Sequence, residues 1–122
     1  MKGFQIMLAA LALGSATTVA AQCNAPAAPG EMPDGASATE EQMITWLTGF
    51  KEYQAANLDY MNCLDPQISE AVAAASAEDA SDEAKAKVKS LEDAYNTAVS
   101  TEEDLAGKFN LEIREFKEKA AK

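Results

Sequence analysis

TEEQMITWLTGFKEYQAANLDYMNCL, running from Thr39 to Leu64, decides how this chain folds. Met43, Trp46, Leu47, Phe50, Tyr53, Tyr60, Met61 and Leu64 recur at intervals of three and four, which places them on one side of a helical period and predicts a long amphipathic helix. The stretch carries the single tryptophan, two of the three tyrosines and one of the two cysteines. Its start is marked by a capping box, in which Thr39 accepts from the backbone of Gln42 while Gln42 reaches back. Ser37 with Glu40 offers the same device two residues earlier, and Glu40 and Glu41 suit the positive end of the helix dipole. Asn57 interrupts the stripe; it is read as a residue that hydrogen-bonds across a helix pair, with a ligand contact as the alternative.

Outward from this stretch, Asp65-Pro66 predicts a break or a kink, since proline lacks an N–H and its predecessor avoids helical angles; Asp65 could equally cap a new helix with Pro66 at its first position. A short third helix is expected over QISEAVAAAS, and Ser76 to Asp82 reads as a polar turn with Ser81 or Asp82 capping the next helix. From Glu83 to Lys119 a second stripe runs through Val88, Leu91, Tyr95, Val99, Leu105, Phe109, Ile113 and Phe116. Glu102 falls among its apolar neighbours and Ser100-Thr101 is a weak helix interior, so a bend or fray is expected there. Two matching stripes joined by a polar turn predict an all-α protein, an antiparallel helical hairpin over 39–122.

Upstream, 1–21 reads as an export signal: Lys2, an apolar run from Phe4 to Leu13, and Val19-Ala20-Ala21 as the cleavage pattern. Cleavage after Ala21 or Ala20 would leave a chain without a lipid anchor, because Gln22 precedes Cys23. The leader holds one of the ten basic residues and none of the twenty acidic ones, so the mature chain carries a net −11. That charge argues against nucleic acid and against anionic membrane, and the expected location is periplasmic or secreted. Residues 22–38 contain three prolines and no hydrophobic period, which predicts an extended arm. From Cys23 to Ala38 such an arm reaches about 46 Å at a polyproline rise, against about 36 Å for a helix from Thr39 to Cys63. It can therefore run back along the helix and join Cys63, closing a loop of about 41 residues worth about 4 kcal/mol in the chain-entropy picture. The oxidising compartment and the even count favour a Cys23–Cys63 bond, with an intermolecular bond or free thiols as alternatives.

The segments Cys23-Asn24-Ala25-Pro26, Pro33-Asp34-Gly35, Ala38-Thr39-Glu40-Glu41-Gln42-Met43, Phe50-Lys51-Glu52-Tyr53-Gln54, Tyr60, Cys63-Leu64, and the tail from Phe109-Asn110 through Arg114, Phe116 and Lys117 resemble a group of small exported helical proteins of proteobacteria. That group has no assigned activity. The resemblance implies the same arm-plus-hairpin plan and no site residue.

The chain contains no histidine, and neither a nucleotide loop nor a nucleophile beside a base is legible. Glu78, Asp79, Asp82 and Glu83 lack the spacing and glycine of a calcium loop. No enzyme, cofactor or metal site is expected. The leading expectation is a non-enzymatic envelope protein that docks a protein partner or its own copy through the aromatic face of the first helix: Trp46, Phe50, Tyr53 and Tyr60. These side chains exceed what an alanine-rich second helix is expected to cover. For Trp46 and Phe50 the interior is the competing reading, because a periodic stripe is core more often than site. Two further classes are a holdase-like periplasmic chaperone and an acidic buffer of cations or small ligands.

Overall fold

The computed structural model describes residues 22–122, and the leader read over 1–21 lies outside them. Among the described residues there are two helices and no strand: α1, Glu40–Ala75, and α2, Asp82–Ala120. They form an antiparallel hairpin, since Trp46 meets Phe109 while Asn57, farther along α1, meets Ala98.

Local chemistry sets the helix ends. The Thr39 hydroxyl accepts from Gln42 N, and the Gln42 side chain accepts from Thr39 N, so the expected capping box forms. Ser37 is drawn into the preceding turn instead, where its hydroxyl donates to Asp34. Ser81 caps α2 by accepting from Ala84 N. Asp82 and Glu83 sit in its first turn and Lys117 and Lys119 in its last, each suited to the local end of the dipole.

Two expectations are corrected, the break in α1 and the fray in α2. The chain neither breaks at Asp65-Pro66 nor starts a third helix there; α1 runs through Pro66 to Ala75. Pro66 deprives the Asn62 carbonyl of its helical donor, but both residues are exposed, so water can serve that carbonyl. Leu64 and Ala71, on either side, are 3% and 5% exposed, and their burial favours continuing the helix through the proline. Nor does α2 fray at Ser100 to Asp104. Glu102 is half-buried there and receives side-chain amides from Gln54 and Asn57 of α1, which make its place on the stripe tolerable.

The arm packs with a period of three. Cys23, Pro26, Pro29 and Met32 are half-buried while the residues between them are exposed, a period of three that matches the three residues per turn of a polyproline segment laid along the hairpin by one edge. It runs antiparallel to α1. At one end the Trp46 indole donates to the Gly30 carbonyl at 3.0 Å; at the other Cys23 and Cys63 form the disulfide, their Cα atoms 5.7 Å apart. Seven arm residues cover about 22 Å at the polyproline rise, and the helix between Trp46 and Cys63 covers about 26 Å, so the two spans match.

A turn at 35–37 then hands the chain to α1. The Asp34 carbonyl accepts from Ser37 N and Ala38 N, and its carboxylate accepts from Ala36 N and the Ser37 hydroxyl. Gly35 seats this turn on α2: its N–H donates to Glu112 Oε2 at 2.7 Å, and a Cβ at this position would run into the Glu112 backbone carbonyl. Lys119 donates to the Ala38 carbonyl and ties down the far end of α2. The core lies beneath this junction, with Met43, Trp46, Phe50, Tyr53 and Phe109 flanked by Met32, Leu105, Ile113 and Phe116.

Candidate functional site

The residues expected to form a docking face are brought together, but inside the molecule. Trp46, Phe50 and Tyr53 are 6%, 5% and 7% exposed, and only Tyr60 is left half-buried. Trp46 stacks on Phe50 with ring centroids 5.3 Å apart and packs against Phe109 at 4.5 Å, while Tyr53 continues the row beyond Phe50. The expected partner face is thus corrected to a core. The miscounted term was the arm: Met32 and Ala38 pack on the rings together with α2, adding cover that the comparison of two helices alone left out.

Beside this core lies a polar seam. Asn57 is 1% exposed, and its amide nitrogen donates to the Ala98 carbonyl at 3.0 Å and to Glu102 Oε2 at 2.8 Å. Gln54 supplies the other Glu102 oxygen at 3.1 Å. Asn57 therefore hydrogen-bonds across the helix pair, as read from its place on the stripe. Burial, helped by the negative Glu102 nearby, raises the Tyr53 hydroxyl above its ordinary pKa of 10.0.

The arm does not fill the groove it crosses. One cleft of about 680 Å³ opens between the arm and the start of α1, with Pro29, Met32 and Trp46 on its walls and Glu31, Asp34 and Glu41 among its polar groups. A second, of about 410 Å³, lies over Asn57. Its walls are Tyr53 and Tyr60 of α1, Pro26 of the arm, and the small α2 residues Ala94, Thr97 and Ala98. Neither cleft is legible in the periodicity of the sequence. The usable signal is the recurrence of short side chains on one side of α2, Ser90, Ala94, Thr97, Ala98 and Thr101, which leaves space beneath an arm passing above them.

Carboxylate oxygens of Asp34, Glu112 and Glu115 lie within 4.8 Å of one another. The first two are engaged in seating the 35–37 turn, which accounts for their approach. The outer side of α1 carries a different feature. Ile44 and Leu58 are 55% and 54% exposed and Val72 is 41% exposed, at intervals of fourteen residues, so they share the side away from the core. This row is weaker than the aromatic stripe and is hidden behind it in the sequence pattern. No described helix is long and apolar enough to cross a membrane.

Comparison with known families, with curated proteins and with solved structures returned no match to this chain.

Proposed function

We propose that this is a non-enzymatic exported protein that acts by docking, and that its docking surface is the outer face of α1, paired with the same face of a second copy. The observation that carries the reading is the order of residues at seven-residue intervals along that exposed face: Ile44, Lys51, Leu58, Asp65, Val72. Read from the other end, the row has the same pattern with the charges exchanged. Two copies crossed antiparallel about Leu58 set Ile44 against Val72 and Lys51 against Asp65, twice over, as a two-fold interface requires. Thr48, Ala55, Asn62 and Ser69, one turn along from these, are exposed and small enough to let two helices approach. The disulfide and the leader support an oxidising, exported setting.

The size of the face sets the strength. A 36-residue helix is about 54 Å long, and a contact about 10 Å wide along it buries about 1,000 Å² over both copies, the lower bound for a specific interface. Mature copies at −11 repel one another, so association should tighten as salt screens that field. Analytical ultracentrifugation of the mature protein tests this. The expected result is a monomer–dimer equilibrium in the micromolar range that Leu58→Glu abolishes, that Lys51→Asp weakens, and that Lys51→Asp with Asp65→Lys restores. A monomer at every concentration, or a charge exchange that fails to rescue, overturns the second copy as occupant.

A further inference from the structure

We propose that the cleft over Asn57 is a binding site for a small molecule carrying a primary ammonium group. Both hydrogens of the Asn57 amide are committed, one to Ala98 and one to Glu102, which fixes the orientation of the amide and leaves Oδ1 able only to accept. No described residue donates to Oδ1. Asn57 is 1% exposed and lines the cleft. No fully buried side-chain nitrogen or oxygen among the described residues lacks a partner, so this oxygen is the atom that meets the cleft. An acceptor in that setting is available to a donor brought by a ligand, and it cannot itself donate to one.

The surroundings choose the charge of that donor. Glu102 pulls on the far side of the same amide, and its own partners are the neutral amides of Gln54 and Asn57. Polarisation through the amide makes Oδ1 a stronger acceptor and places a half-buried negative charge one group behind it. No lysine or arginine among the described residues lines the cleft. Asp93 stands among its walls, held by Lys89 in an exposed pair of a kind that contributes little and exchanges readily. The hydroxyls of Tyr53, Tyr60 and Thr97 can accept further ammonium hydrogens, and the tyrosine rings favour a cation over their faces. Pro26 and Ala28 of the arm supply an apolar side for a short alkyl chain. At about 410 Å³ the cleft falls within the size range of small-molecule sites. The net charge of the chain draws cations towards it.

The test is an NMR titration of the disulfide-bonded mature protein with 1,4-diaminobutane at neutral pH and low salt. Tetramethylammonium, charged but without an N–H, and 1,4-butanediol, uncharged, serve as controls. The expected result is saturable one-to-one binding that shifts the Asn57 side-chain amide together with Tyr60 and Thr97, at least tenfold tighter than either control. Thr97→Met, which fills the cleft from the α2 side and leaves Asn57 in place, should weaken it at least tenfold while the amide spectrum elsewhere stays folded. Equal binding of tetramethylammonium would mean that the diamine senses only the acidic surface. Shifts confined to Glu31, Glu41 and Trp46 would place it in the other cleft. Either outcome, or no effect of Thr97→Met, overturns the proposal.

Discussion

Asn57 stands where the stripe of α1 would take a leucine, and its position is tolerable because Ala98 and Glu102 receive its amide. Sliding α2 by one residue would carry both acceptors out of reach, so one side chain sets which residues of the two helices face each other. Asn57→Ala removes two hydrogen bonds, one to a carboxylate, and should cost about 2–3 kcal/mol in urea unfolding. Asn57→Leu combined with Glu102→Leu should recover most of that loss, since an apolar pair of similar volume replaces a satisfied polar one at little cost. A double-mutant cycle should show coupling of about 1 kcal/mol or more. Strictly additive losses would mean that the two side chains act separately.

At the scale of the element, α1 is one helix with a proline inside it, and this gives a sharp test. In a helix interior Pro66 forfeits a hydrogen bond and crowds the preceding turn, at a cost of about 3 kcal/mol. At the first turn of a separate helix it would cost almost nothing. Pro66→Ala should therefore raise stability by about 2–3 kcal/mol, read from the urea midpoint at constant slope; no gain would restore the break at Asp65. Much of each element was legible beforehand. The stripe from Met43 to Leu64, the Thr39–Gln42 box and the Ser81 cap rest on neighbours within a few positions, where sequence spacing is spatial distance. Two misreadings share one cause. Pro66 and Glu102 break local rules, and what reconciles them comes from elsewhere: burial of Leu64 and Ala71, and amides from a helix about forty-five residues away. The aromatic face was misjudged for a related reason, because a periodic stripe tells which side of a helix is apolar and not what lies on it.

For the molecule as a whole, the arm holds most of the balance. It contributes Met32 and Ala38 to the core, accepts the Trp46 indole, and is covalently closed onto α1. Reduction of Cys23–Cys63, or its replacement by serines, releases a loop with a sequence separation of 40 and should lower unfolding free energy by up to about 4 kcal/mol. Trp46 fluorescence under urea, with and without dithiothreitol, reads the difference; an unchanged midpoint would show that packing alone holds the arm. The candidate site was the least legible part. The cleft over Asn57 exists because the arm crosses above short side chains of α2, a relation between three segments distant in sequence that no single periodicity encodes. The disulfide also has a meaning in time. Every atom of the covalent ring belongs to residues 23–63, and α2 begins at Asp82. A chain delivered amino end first presents both thiols before any residue of the second helix has arrived, so the ring can be sealed around α1 alone, and α2 then docks onto a surface whose shape is already decided.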